Sequence, residues 1–295
     1  MTKVAVISGG SSGIGKALSV ELCREGYKVY AVARTVKAID QITKDYPGLS
    51  VIPYELDITS VEAIQKFKEF LKEELPKNEE GKPMLDVLYN NAGQSCTFPA
   101  LDVTPDAMEQ CFKVNVFGHI NMSRELSEFV INGKGTILFT GSLAGIISFP
   151  FGSIYSATKA AIHAYARGLH LELQPFGVRV INVITGGVAT NISDDRPLPD
   201  GSIYDFKEGK EAFGYRQNMV KHNTPMSATE YAKQMVTLIV DRKKDPVDVY
   251  RGSQAWMVGW IAFLVPYCIL EWGLKRKFRL VKLFDALKKK DQKME

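Results

Sequence analysis

This 295-residue chain is poor in the residues that build metal centres and crosslinked scaffolds. It has four histidines and four cysteines. Cys23, Cys96, Cys111 and Cys268 lie far apart, with no CxxC pair and no metal-ligand spacing. That excludes a disulfide framework and leaves no metal to be expected, and it suits a reducing compartment. Low-complexity tracts and internal repeats are missing too, and 45% hydrophobic with 24% charged residues excludes a disordered chain. Met1-Thr2-Lys3 runs straight into Val4-Ala5-Val6-Ile7, too short an apolar core for a signal peptide, so synthesis in the cytosol is expected.

Neither sign of charge dominates until the chain is divided. The net charge is +4, yet residues 275–295 carry nine Lys or Arg against three Asp or Glu, a net +6. The preceding 274 residues therefore sum to −2. A nucleic-acid-binding domain spreads cations over its surface, so nucleic acid is not an expected partner. The basicity belongs to the tail.

Short runs rich in β-branched residues alternate with helical patterns, as in an α/β doubly wound parallel sheet of the Rossmann type. The spacing predicts strands over 4–8, 28–33, 51–54, 87–89, 136–140, 178–184 and 247–250. Helices are predicted over 14–24, 61–74, 107–131, 153–174 and 228–242, where apolar residues such as Ile64, Phe67, Phe70 and Leu71 recur at helical spacing. Residues 1–251 read as one domain. Within it, a polar and aromatic insert at 191–227 follows the sixth strand, where it can cover a site at the carboxyl ends of the strands. Residues 252–295 read as an extension: nineteen residues without a charge at 252–270, then the basic tail.

After the first strand comes Ser8-Gly9-Gly10-Ser11-Ser12-Gly13-Ile14-Gly15, a GxxxGxG turn leading into a helix. Gly9, Ser11, Gly13, Ile14 and Gly15 there allow a pyrophosphate to approach the backbone at a helix N-terminus. The second strand ends Ala33-Arg34, lacking the carboxylate that bonds a ribose 2′-hydroxyl in NAD-selective relatives. A cation at Arg34 suits a 2′-phosphate instead, which makes NADPH the expected cofactor. Further on, Tyr155 and Lys159 stand one helical turn apart. A phenol with its ordinary pKa of ~10 is a poor proton donor at neutral pH, and a nearby ammonium favours the phenolate. Ser142, at the end of the fifth strand, can hold a carbonyl oxygen beside the tyrosine.

The set Gly9/Gly13/Gly15, Asn90-Asn91-Ala92-Gly93, Asn115, Ser142, Tyr155 and Lys159 resembles the classical short-chain dehydrogenase/reductase family over roughly residues 4–250. The resemblance implies that Ser142, Tyr155 and Lys159 are catalytic, with Asn115 linking a water relay to Lys159. It implies cofactor contacts from Asp57 near the adenine, from Asn91, Ala92 and Gly93, and from Val188 and Thr190 beside the nicotinamide. Two departures appear: Ser8 replaces a threonine, and Thr185 replaces the proline that precedes glycine. Longer stretches, 90–99, 111–122 and 154–172, resemble a fungal subgroup that reduces 1-acyldihydroxyacetone phosphate with NADPH. This implies a lipid-like ketone substrate bearing phosphate, and the cytosolic face of the endoplasmic reticulum and lipid droplets as the address.

Phe149, Phe151, Phe206 and Phe213 are then candidates for an acyl channel, and Arg196, Arg216 and Lys221 for the phosphate. A steroid or retinal carbonyl is the alternative substrate. The sequence leaves a homo-oligomer open. A triacylglycerol lipase or esterase reading comes from Gly9-Gly10-Ser11-Ser12-Gly13, which satisfies GxSxG between strand and helix; it requires a histidine partner for Ser11. A catalytically idle, membrane-attached sensor is a third reading, against which the complete Ser-Tyr-Lys set stands. In the extension, Trp256, Trp260, Tyr267 and Trp272 suit a membrane interface. Lys275, Arg279, Lys282, Lys289 and Lys293 form one helical stripe, opposite Leu280, Phe284 and Leu287. The expectation is a monotopic anchor.

Overall fold

The computed structural model describes residues 2–147 and 149–292, so Lys293 of the cationic stripe lies outside the described residues. Seven parallel strands form one sheet in the order β3-β2-β1-β4-β5-β6-β7. They are β1 (Val4–Ser8), β2 (Lys28–Ala33), β3 (Val51–Glu55), β4 (Val87–Asn90), β5 (Thr136–Thr140), β6 (Arg179–Thr185) and β7 (Asp248–Arg251). Each differs from its sequence expectation by a residue at most at either end. The reason is physical: β1 and β6 are buried along their whole length, and a strand covered on both faces is an uninterrupted apolar run.

Helices α1 (Gly13–Arg24), α2 (Lys37–Asp45), α3 (Val61–Glu74), α4 (Pro105–Phe112), α5 (Gly118–Asn132), α6 (Ser153–Leu173), α7 (Lys207–Gln217), α8 (Met219–His222) and α9 (Ala228–Val240) complete the domain. Ile64, Phe67 and Leu71 of α3 bury against one face of the sheet with Leu126 and Phe129 of α5. Leu18 and Leu22 of α1 and Met235 of α9 bury against the other. Between β1 and β4 the winding reverses direction, which opens a crevice beyond the carboxyl ends of the strands.

Three expectations change in the structure. The helix predicted over 107–131 is α4 and α5 joined by a π-helical turn, Lys113–Phe117, whose wider spacing no simple periodicity reveals. The insert is partly helical, holding α7 and α8, and α2 stands where no element was expected. The extension folds as three helices, α10 (Ala255–Leu264), α11 (Tyr267–Lys277) and α12 (Leu280–Asp291). Pro266 separates the first two, because proline cannot continue a helix. No helix among the described residues is long and apolar enough to cross a membrane.

The tail also docks differently from the expected stripe. Leu283 of α12 is buried against Phe151, Ala212 and Phe213, with Leu280 and Leu287 packed beside it. Phe278 is fully buried, its ring 5.8 Å from that of Phe149. Most of the apolar face assigned to a membrane therefore covers the insert. The hydrophobic residues that remain exposed lie mainly one step earlier, on α10 and α11: Trp256 is 68% exposed, Phe263 80% and Leu264 67%.

Candidate active site

A cavity of about 910 Å³ runs along the carboxyl ends of the strands. The loops after β1 to β6 supply its polar wall, with Gly9, Arg34, Asp57, Asn91, Ser142 and Val188 one from each. Its apolar wall includes Val258, Ile261, Val265, Ile269 and Leu270 of the extension. Sequence reasoning assigned that wall to phenylalanines near the insert. Only Phe149 of the four lines the cavity; Phe151 and Phe213 are spent in the cluster that holds α12, and Phe206 packs against it.

The glycine turn is shaped for a dinucleotide. Gly9 and Gly13 have φ of +68° and +51°, a region that side chains disfavour. A Cβ on Gly9 would stand 2.9 Å from Ala92 Cα, and one on Gly15 would overlap the Gly9 carbonyl oxygen. The turn thus brings bare backbone to the N-terminus of α1, where orphan N–H groups favour a phosphate. Ser11, Gly13 and Ile14 line the cavity there, and Thr190 packs on Gly13. Arg34 is exposed after Ala33 ends β2. Asp57 uses Oδ1 to accept from the backbone and hydroxyl of Thr59, at 2.9 and 2.8 Å. These residues fit an adenine dinucleotide carrying a 2′-phosphate.

A ladder of hydrogen bonds leads from this turn to Lys159 on α6. The Ser8 hydroxyl accepts from the backbone N–H groups of Asn91 and Ala92 at 2.9 and 3.0 Å, so the threonine-to-serine departure keeps the contact. Asn91 donates from Nδ2 to the Ser8 carbonyl and accepts at Oδ1 from the Thr140 hydroxyl. The Thr140 carbonyl in turn accepts from Lys159 Nζ at 2.8 Å. At the other departure, the Thr185 hydroxyl meets Tyr231 Oη at 2.9 Å.

Tyr155, Ser142 and Lys159 come together as the sequence suggests. Lys159 is buried, its ammonium 5.7 Å from the centre of the Tyr155 ring. Burial lowers its pKa to about 8. The Tyr155 phenol is raised above its ordinary value, chiefly by burial, while a hydrogen bond with Ser142 and the charge of Arg216 pull it back. Arg216 is thus a second cation acting on the phenol, beside the Lys159 to which the sequence pointed. Asn115, on the π-helical turn, bridges Gln94 and the Thr158 hydroxyl: its Oδ1 accepts from Gln94 N, and its Nδ2 donates to Gln94 O and to Thr158 Oγ1. It reaches the residue next to Lys159.

Sequence reasoning missed one positioning residue. Nε2 of the buried His163 accepts the backbone N–H of Ser142 at 3.1 Å. Burial lowers its pKa to about 4, first by desolvation and then through Lys159, so it remains a neutral acceptor at neutral pH. Gly141 and Gly145 leave it room, since a Cβ on either would stand 2.5–2.6 Å from the ring. The only available signal was its position two helical turns after Tyr155 and one after Lys159. The other histidines are also engaged away from Ser11: His119 meets the Ala92 carbonyl, His170 the Val180 carbonyl, and His222 stacks on Tyr215. No histidine hydrogen-bonds Ser11 among the described residues.

The buried ammonium predicts a pH dependence of stability. Between about pH 8 and 10.5 the folded chain holds fewer protons at Lys159 than the unfolded chain does. Folding stability therefore rises with pH across that window, relative to a chain without the group. Thermal denaturation should show the wild type gaining on Lys159→Met as pH rises from about 8. A difference that stays flat contradicts a charged, desolvated Lys159.

Residues 3–199 match the short chain dehydrogenase family. The chain is 60% identical over 290 residues to the NADPH-dependent 1-acyldihydroxyacetone phosphate reductase of Saccharomyces cerevisiae, covering 98% of this chain and 96% of that one. It is 34% identical over 232 residues to the protein of the same name from Schizosaccharomyces pombe, covering 76% and 72% of the two chains. A solved short-chain dehydrogenase from Streptomyces avermitilis superposes with a TM-score of 0.74 at 26% identity, covering 96% and 97%. With the glycine turn, the Asn91 ladder and the Ser142–Tyr155–Lys159 cluster in place, the chain belongs to the short-chain dehydrogenase family.

Proposed function

We propose that this chain reduces the ketone of 1-acyldihydroxyacetone phosphate to 1-acylglycerol 3-phosphate, using NADPH. The observation that carries the reading is the whole-chain similarity to the yeast reductase, which extends through the extension that walls the cavity. When bound, NADPH supplies the hydride that reduces the ketone carbon. The turn from Gly9 to Gly15 holds the pyrophosphate, Arg34 the 2′-phosphate and Asp57 the adenine side. Asn91, Ala92 and Gly93 flank the cofactor, with Val188 and Thr190 on the nicotinamide side.

Tyr155 donates its phenolic proton to the ketone oxygen as negative charge develops there. Its raised pKa keeps that proton in place at neutral pH, as the reductive direction needs. Ser142 donates to the same oxygen. Its Oγ accepts from Ala144 N at 3.1 Å, so the O–H that otherwise bonds the Tyr155 phenol is the group that turns to substrate. The Lys159 ammonium stabilises the phenolate that remains and returns a proton to it, and solvent then reprotonates Lys159 along the turn that Asn115 steadies.

The reading includes attachment to the cytosolic face of the endoplasmic reticulum and of lipid droplets. Its support is the two-sided character of α10 and α11. One side lines the cavity, while Trp256, Phe263, Leu264 and Tyr267 face solvent, and the chain then runs on into Lys275, Arg276, Lys277 and Arg279. Aromatic residues flanked by cations hold a segment in the interface of an anionic bilayer, at about 1 kcal/mol per cation near the surface. A lipid substrate then reaches the cavity without crossing water.

Two measurements check the reading. Tyr155→Phe should lower ketone-dependent NADPH oxidation by roughly 10²–10⁴-fold while NADPH affinity stays within a few fold; wild-type turnover in this variant sinks the assignment. For attachment, the full chain should float with phosphatidylcholine–phosphatidylserine vesicles. A Trp256→Ser, Phe263→Ser, Leu264→Ser variant should stay behind, yet turn over a short-chain substrate normally. Flotation equal to wild type shows that the contact lies elsewhere.

A further inference from the structure

Arg216, on α7, is a buried cation with no carboxylate bound to it among the described residues. It is 8% exposed and lines the cavity, and its Nε has no hydrogen-bond partner. No salt bridge reaches its guanidinium among the described residues. The nearest carboxylate to act on it, Asp194, is already occupied: Arg196 binds both its oxygens at 2.7–2.8 Å, and the Thr97 N–H donates at 2.9 Å. The surroundings nevertheless hold the group in place. Its Cζ lies 5.7 Å from the centre of the Phe149 ring. A Cβ at Gly152 would stand 2.9 Å from one of its terminal nitrogens, so the glycine makes space for it. Burying a guanidinium without a partner is costly, and in a cavity wall it points to an anion supplied by the ligand.

The position of that anion is constrained by the chemistry of the reaction. In a 1-acyldihydroxyacetone phosphate, only a methylene and an ester oxygen separate the ketone carbon from the phosphorus. The phosphate must therefore sit beside the proton donor, and Arg216 is close enough to Tyr155 to act on its phenol. The alternatives fail on position or occupancy. Lys159 is donated to Thr140, Arg196 is neutralised by Asp194, and Lys221 binds Asn218 off the cavity wall. Arg34 belongs to the far, adenine end. Lys277 also lines the cavity, but as an exposed residue of the extension.

We infer that Arg216 binds the substrate phosphate, forking across two of its oxygens beside Tyr155, and that it selects phosphorylated ketones over uncharged ones of equal length. For the ketone itself this rests on the reading of the preceding subsection. An uncharged steroid or retinal leaves the guanidinium unpaired, which is the physical basis of the selection.

The test compares hexanoyl-dihydroxyacetone phosphate with hexanoyl-dihydroxyacetone as substrates of the full-length wild type, Arg216→Met and Arg216→Lys. The preference for the phosphorylated ketone in kcat/KM should fall by about 10–100-fold in Arg216→Met, mainly through KM, and by less in Arg216→Lys. NADPH binding, followed by fluorescence, should be retained in both. A variant that binds NADPH and keeps the wild-type preference overturns the assignment. So does a loss equal for both ketones with a shifted pH profile, which assigns Arg216 to tuning Tyr155 alone. Binding of hexanoylglycerol 3-phosphate against monohexanoylglycerol by calorimetry gives an answer independent of turnover. If the wild type binds the phosphorylated form more tightly and Arg216→Met does not, the phosphate contact stands even where the ketone reading fails. Equal binding of the two by the wild type sinks the contact even where that reading holds.

Discussion

The site depends on one hydrogen-bonded ladder laid across the carboxyl edge of the sheet. Ser8 holds Asn91 and Ala92, Asn91 holds Thr140, and Thr140 holds the Lys159 ammonium. Each member sits at or just beyond a strand end or, for Lys159, on the helix after β5. Parallel pairing of β1, β4 and β5 therefore sets the spacing before any ligand arrives. A buried network of this kind is worth having only when its members are satisfied. The same ladder ties the glycine turn to the lysine that faces the Tyr155 phenol. Binding and chemistry share one frame.

The second organising fact is the division of the cavity. The polar wall comes from loops that any member of the fold possesses in some form, whereas the extension completes the apolar wall. Gly187 and Ser253 exchange backbone hydrogen bonds, joining the loop after β6 to the start of the extension. The chain thus goes from the catalytic edge directly into the helices that roof it. In this arrangement the segment that lines the cavity is also the one that exposes Trp256, Phe263 and Leu264 to solvent, on a different side. Helix α12 serves the roof from behind, through Leu283 and the neighbouring Phe278.

Much of this was legible in the residues. Strands buried on both faces are written as unbroken apolar runs, so β1, β2 and β5 were placed to the residue. The turn at Gly9–Gly15 and the Ser142, Tyr155, Lys159 spacing were legible because backbone geometry and one-turn helical spacing leave fixed marks in sequence. What could not be read is whatever depends on packing between distant segments. Phe151 and Phe213 are as aromatic as Phe149, and only the docking of α12 decides which of them reach the cavity. Arg196, Arg216 and Lys221 are three cations in one insert; only packing shows that Asp194 takes the first and that the third bonds Asn218 off the cavity wall. His163 carries no motif because its partner is a backbone N–H. The apolar stripe of the tail was legible as a stripe, but its partner was not.

The central claim is that a single cavity brings cofactor, ketone and acyl chain together beneath the extension. A crystal structure of the full-length chain with NADP and a 1-acylglycerol 3-phosphate tests this most directly. The account predicts the 2-hydroxyl within hydrogen-bonding distance of both Tyr155 Oη and Ser142 Oγ, with the acyl chain running along Val258, Ile261 and Ile269. An acyl chain that leaves the cavity away from α10 and α11, or a hydroxyl beyond reach of Tyr155, would contradict it.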